Sequence, residues 1–232
     1  MRKFLIFAAV MMIAVQSAAA QFYDISEDES KEKIEYLFEK GIIKGTAENL
    51  YTPERLVTRA EFAAMAVRAM GAELTGNNKF SDVSESDWFY QDVLKAESAG
   101  VISGFPDGTF RPYGIITHEQ AVKMLVNIYE KSYALDPSGD MATMYDDYYE
   151  ISDWARDSVS KGTMLSIARG YDKMTLRDQD GSTLFGVSTG SGNGANYFSP
   201  RLQVNRSQAA DMLYALINAM DISEKINVER YN

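Results

Sequence analysis

The chain has no cysteine, so a disulfide framework and thiol chemistry are both closed to it. It has a single histidine, His118, which excludes a multi-histidine metal centre and leaves only carboxylate-based metal sites open. Positive charge is scarce: 23 Lys and Arg against 33 Asp and Glu give a formal net charge of −10. Nucleic acids and anionic membranes both require clustered cations, so neither is an expected partner. Any anionic ligand has to be held by a few well-placed basic side chains. Long apolar runs are scarce too. The one substantial run, Phe4 to Val15, follows Arg2 and Lys3 and precedes Ser17-Ala18-Ala19-Ala20. A basic start, a short apolar stretch and small residues before a cleavage point read as a secretory signal peptide over residues 1–20. The run is too short to span a bilayer comfortably, and its removal leaves no expected transmembrane segment. Losing Arg2 and Lys3 shifts the formal charge from −10 to −12. The expected product is acidic, secreted, and held together by a hydrophobic core rather than by cross-links.

What is present is a repeat. Gly41-Ile42-Ile43, Tyr51-Thr52-Pro53 and Thr58-Arg59-Ala60-Glu61 recur as Gly100-Val101-Ile102, Phe110-Arg111-Pro112 and Thr117-His118-Glu119-Gln120. A third copy ends in Phe198-Ser199-Pro200 and Asn205-Arg206-Ser207-Gln208. The first two copies are offset by 59 residues, and the aromatic residue precedes Thr or Asn by 7 positions in all three. Such a fixed period means one supersecondary unit used three times. Three of the five prolines occupy the aromatic-x-Pro position.

Each unit opens on an aromatic-x-Asp phrase: Phe22-Tyr23-Asp24, Phe80-Ser81-Asp82 and, more loosely, Tyr145-Asp146-Asp147-Tyr148. An amphipathic helix follows, carried by Ile34, Leu37 and Phe38, by Trp88, Val93, Ala96 and Ala99, and by Trp154 and Val159. Gly41, Gly100 and Gly162 are read as its C-caps. The second helix starts at a capping box, Thr58 with Glu61, Thr117 with Gln120 and Asn205 with Gln208. Apolar positions at i, i+3 and i+4 follow each box, and they read as core. Copy three is longer: 36 positions separate Gly162 from Phe198, against 10 between the corresponding residues of the other copies. An insert is therefore expected within 163–197, and its Gly- and Ser-rich composition reads as a hairpin or open loop.

The expected fold is mainly α, three helix–loop–helix repeats with an irregular or hairpin insert in the third. Repeat 1 covers 21–74, repeat 2 covers 78–132, a linker 133–144, repeat 3 covers 145–221, and a polar tail 222–232.

This pattern closely resembles the S-layer homology domain in three tandem copies. The likeness rests on Phe80-Ser81-Asp82-Val83, Trp88, Gly100-Val101-Ile102-Ser103-Gly104, the Asp107-to-Pro112 loop and Thr58-Arg59-Ala60-Glu61. The resemblance implies a pseudo-threefold helical spindle with grooves between its prongs. It also implies anchoring of an exported protein at the cell wall or cell surface through secondary cell wall polysaccharide, often one bearing a pyruvylated sugar. A pyruvate ketal offers a carboxylate to a guanidinium fork, and a sugar face suits an aromatic platform. Carried over, the ligand-contacting role falls on Arg59 and Arg206, placed beside the free N–H groups of a helix start where an anion is favoured. A solvated surface arginine is the alternative at both positions. His118 replaces the arginine in copy two, so that groove is expected to bind weakly or only at acidic pH.

Asp24 and Asp82 are candidates for sugar hydroxyls, or else cap a turn. Trp88 and Trp154 are candidates for sugar stacking, although their helical spacing favours the core. Arg111 either lines a groove or is an exposed turn residue. No catalytic residue, cofactor or metal is assigned. Asp178-Gln179-Asp180-Gly181-Ser182 resembles a calcium-loop fragment but lacks the remaining ligands. A glycosidase needs only two carboxylates, yet no pair stands out from the repeat. The other reading is a structural or partner-binding envelope protein with degenerate repeats and no glycan affinity, meeting an envelope protein through the 163–197 insert.

Overall fold

The computed structural model describes residues 22–71, 76–133, 140–170, 172–177, 183–188 and 196–231. The signal segment and the calcium-like Asp178-to-Ser182 fragment lie outside the described residues. The chain is mainly helical. Three nine-residue helices, α1 (Lys31–Glu39), α3 (Tyr90–Ser98) and α5 (Arg156–Met164), alternate with three longer ones: α2 (Arg59–Met70), α4 (His118–Ser132) and α6 (Arg206–Tyr231). Between α5 and α6, β1 (Asp172–Arg177) and β2 (Thr183–Ser188) pair antiparallel, with Asp172 opposite Ser188 and Arg177 opposite Thr183. Among the described residues no helix is long and apolar enough to cross a membrane.

The aromatic-x-Asp phrases prove to be turn clamps. Asp24 accepts from the N–H groups of Tyr51 (2.9 Å) and Thr52 (2.6 Å). Asp82 accepts from Phe110 and Arg111 (both 2.7 Å), and Asp147 from Phe198 and Ser199 (both 2.7 Å). In each loop the residue after the aromatic is left-handed: Thr52, Arg111 and Ser199 have φ of 54°, 57° and 55°. Non-glycine residues rarely adopt that conformation, and here a carboxylate gripping two successive N–H groups holds it. The opening aromatic packs on the loop aromatic each time, Phe22 on Tyr51, Phe80 on Phe110 and Tyr145 on Phe198, with ring centroids 5.5, 5.3 and 5.4 Å apart. Both oxygens of Asp24 and of Asp82 thus accept from the loop backbone, the turn-capping role given above as the alternative to sugar binding.

The three segments close on one another through a ring of backbone hydrogen bonds. Val57 N–H donates to Val204 O (2.9 Å), Val204 N–H to Ile116 O (3.1 Å), and Ile116 N–H to Val57 O (3.0 Å). All three side chains are buried. The loop carbonyls then receive the first amides of the long helices. Arg59 and Ala60 N–H donate to Gly114 and Pro112, His118 and Glu119 to Leu202 and Pro200, and Arg206 and Ser207 to Arg55 and Pro53. Proline suits this place because it offers a carbonyl and needs no acceptor. These contacts correct one expectation: the helix-start amides beside Arg59 and Arg206 are taken, so an anion there must rely on the side chains.

The capping boxes form. Thr58 accepts from Glu61 N–H (3.3 Å) while Glu61 accepts from Thr58 N–H (3.0 Å). Asn205 and Gln208 exchange the same pair at 2.8 and 3.0 Å. In the second box Gln120 accepts from Thr117 N–H (3.3 Å), whereas the buried Thr117 Oγ1 has no hydrogen-bond partner among the described residues.

Four sequence expectations shift. Gly162 is not a cap. It lies inside α5, where a Cβ would stand 2.8 Å from Val122, and the left-handed residue is Ser166 (φ 58°), matching Gly41 and Gly100. Trp88 and Trp154 precede α3 and α5 rather than lying on them, because turns at Ser84–Tyr90 and Ser152–Ala155 come first. Residues 141–144, expected within a linker, form a 3-10 helix with a buried Ala142 and a bond from Met141 N–H to Ser160 (2.7 Å). Residues 222–231 continue α6, and Ser223 there hydrogen-bonds the Tyr129 hydroxyl at 2.6 Å.

Candidate functional site: three inter-repeat grooves

The first residue of each long helix clips onto the loop aromatic of a neighbouring segment. Arg59 Nε donates to Phe110 O (2.8 Å), with its guanidinium carbon 4.8 Å from the Phe110 ring. Arg206 Nε donates to Tyr51 O (2.7 Å) and lies 4.2 Å from the Tyr51 ring. His118 Nδ1 lies 2.8 Å from Phe198 O, and its ring stacks on Phe198 at 4.4 Å. A carbonyl only accepts, so Nδ1 carries the proton. All three residues are buried, which excludes the solvated-arginine alternative. Histidine thus performs the same clip through Nδ1. Arg59 goes on to reach Gln120 Oε1 (3.1 Å), and Arg206 reaches Lys44 O (2.5 Å).

Beside each clip is a groove. The Arg59 groove, about 320 Å³, is lined by the Gly104–Pro106 loop, by Gln120, Lys123 and Asn127 of α4, and by Trp154. Among the described residues no carboxylate lines it. The Arg206 groove, about 410 Å³, is lined by the Lys44–Thr46 loop, by Glu61 and Arg68 of α2, and by Trp88. Its ion pairs are Arg55–Glu61 at 2.8 Å and Arg68–Asp92 at 3.1 Å. A third groove of about 170 Å³ has Ser166–Gly170 as its loop, with Gln208 and Asp211 of α6 and with Glu29 and Lys33.

The tryptophans are the main correction to the site. Trp88 is 60% exposed and Trp154 is 49% exposed, and each lines one of the two arginine grooves. Helical spacing had pointed them inward; their place just before the helix turns them out. Arg111 is exposed, pairs with Asp107 at 2.9 Å and stacks 3.9 Å over Phe105. Phe105 is thereby flanked by two guanidinium groups, since Arg59 stands 4.9 Å from the same ring. The sequence reading missed Phe105, Lys123, Asn127 and Arg68. Lys123 and Asn127 stand three and seven positions after the capping Gln120, on one helical stripe, which was the available signal.

Burial lowers the Arg59 pKa to about 10, with Arg111 adding to the shift and Asp82 opposing it, so the group is charged at neutral pH. Burial likewise lowers Arg206. Burial pushes His118 down to about 4, against a smaller opposing effect of its bond to Phe198. Near pH 6 the buried imidazole therefore stays neutral. A folded pKa below the ordinary 6.5 means the unfolded chain binds the proton more readily. Stability is therefore held above pH 6.5 and lost as pH falls through the window down to about 4. The loss amounts to about 3 kcal/mol. His118→Gln should flatten the pH dependence of the urea midpoint by that amount; an unaltered slope would contradict the assignment.

Residues 21–63 and 79–122 match the S-layer homology domain. These stretches span the first helix, the loop and the opening of the second helix in the first two repeats. The match stops short of the third segment, where Ser166 stands in for the glycine and the β1–β2 hairpin interrupts the loop. The chain is 30% identical over 205 residues to the exoglucanase XynX of Acetivibrio thermocellus, covering 88% of this chain and 17% of that protein. It is 28% identical to the surface layer protein of Brevibacillus choshinensis, over 77% of this chain and 15% of the relative. Identity to the surface-layer 125 kDa protein of Lysinibacillus sphaericus is 25%, over 96% of this chain and 17% of the relative. The chain spans less than a fifth of the length of each. S-layer homology domains anchor proteins at the cell surface by binding cell wall polysaccharide.

Proposed function

We propose that this chain is a noncatalytic, cell-wall-associated secreted module whose three repeats form a pseudo-threefold spindle. In this reading it binds an acidic, pyruvylated wall polysaccharide in the Arg59 and Arg206 grooves. The observation that carries the reading is the pairing, in a chain of net charge −10, of a buried arginine with an exposed tryptophan in each of two grooves. A ligand carboxylate takes the guanidinium N–H groups not committed to the clip, in a partly dry setting where charge-assisted bonds are strong. Lys123 in one groove and Arg68 in the other add positive potential. The tryptophan supplies a flat face for the sugar ring, and Asn127 a polar contact for its hydroxyls. The S-layer homology match and the surface-layer relatives support the location.

The test is sedimentation of the purified chain with wall sacculi before and after chemical removal of their polysaccharide. Binding should require the polysaccharide; binding that survives its removal would favour a protein-binding role instead. Trp154→Ala should weaken binding to isolated polysaccharide about fivefold to tenfold, the scale of losing one aromatic stacking contact. Because Trp154 is exposed, the melting temperature should barely move, and an unchanged affinity would remove Trp154 from the site.

A further inference from the structure

Resting on that glycan reading, we infer that the third groove is closed to acidic ligands by Asp211 and Glu29, and serves as a clasp joining the first and last repeats. The inference comes from comparing equivalent positions. The residue just before each short helix's N-cap is Trp88, Trp154 or Glu29. Three positions beyond the capping residues Glu61, Gln120 and Gln208 stand Ala64, Lys123 and Asp211. The residue aligned with Arg59 and Arg206 in the remaining copy is His118, which clips Phe198 through Nδ1. At two of these positions the third groove carries a carboxylate, Glu29 in place of a tryptophan and Asp211 in place of Lys123 or Ala64, while Arg169 stands where the Arg206 groove has Lys44.

Asp211 is also occupied. Its Oδ1 accepts from Lys33 Nζ (2.6 Å) and from Ser30 Oγ (2.7 Å), a bridge from α6 to the start of α1. The Lys33 ammonium is engaged in this bridge. Arg169, which is exposed, is a second cation lining the groove together with Glu29 and Asp211. The volume is about 170 Å³, the smallest of the three. A ligand carboxylate entering would meet like charge and have to break the Asp211–Lys33 pair that ties the ends of the ring together. Grooves one and two bind; the third fastens.

Titration calorimetry of the full chain with a pyruvylated disaccharide decides the matter. Two equivalents are expected for the wild type. None should remain in the Arg59→Gln/Arg206→Gln double variant, provided circular dichroism shows it folded. Three equivalents in the wild type, or one surviving in the folded double variant, would overturn the inference while leaving the glycan reading intact. No uptake by the wild type would overturn the glycan reading, and the inference with it. A His118→Arg/Asp211→Ala variant, copying the Arg206 groove at both positions, should gain a third, weaker equivalent. A folded variant that stays at two would overturn the role given to Asp211.

Discussion

Asp147→Ala should destabilise the chain by about 3–5 kcal/mol. Asp147 is 6% exposed and accepts from two successive N–H groups, Phe198 and Ser199, at 2.7 Å each. Alanine leaves the Phe198 amide buried with no acceptor, and it releases Ser199 from the only carboxylate seen to hold its φ of 55°. Hydrogen bonds to a charged group contribute about 1.5–3 kcal/mol each, so losing two accounts for the range. The clamp sits under Phe198, which also carries the His118 stack, so the damage spreads to the contact between repeats two and three. Asp147→Asn should retain part of the stability, because the amide keeps one acceptor oxygen but turns a donor toward the second N–H. Urea unfolding measures both variants. A midpoint change worth less than about 1 kcal/mol for Asp147→Ala would mean the loop is held by its aromatic packing instead.

The repeat and its helices were legible in the sequence because their signals are local. Capping boxes, aromatic-x-Pro turns and i, i+4 periodicity each lie within a few residues, and the helices of the chain follow them. Signals failed where one residue type can serve two purposes. The Asp of each aromatic-x-Asp phrase has the chemistry of a sugar ligand, and only its closeness to amides 27 to 29 residues away, or 51 and 52 in the third copy, shows it to be a clamp. Glycine is the usual left-handed residue, so Gly162 drew the cap assignment that belongs to Ser166, where the surrounding turn enforces the same geometry. Trp88 extends the apolar spacing of α3 backward by one turn, but the helix starts at Tyr90. The grooves themselves were the least legible. A period of 59 residues says that a unit recurs and nothing about which faces meet. Arg59 finds its partners 51 and 61 residues away, in the next repeat.

That long-range partnership gives Arg59 two separable duties, and histidine separates them. Arg59→Ala should cost about 3 kcal/mol of stability, since it strands the buried Phe110 carbonyl and removes the guanidinium from between the Phe105 and Phe110 rings. It should also weaken polysaccharide binding in that groove by at least about 30-fold, the lower end for truncating one side of a desolvated charge pair. Arg59→His copies the residue that stands at the same position in repeat two. There the imidazole donates to the loop carbonyl at 2.8 Å and stacks on the loop aromatic. The histidine variant should therefore recover most of the stability lost by alanine at pH 7 while remaining as defective in binding. It should also acquire an acid-sensitive midpoint, because a second buried imidazole now has to stay neutral in the folded chain. Thermal melts at pH 5 and pH 7, set beside calorimetric titration of the same variant, read the two duties independently. Full binding by Arg59→His would assign the groove's affinity to Trp154 and Lys123 rather than to the guanidinium. Stability no better than alanine would show that the clip depends on the second prong to Gln120.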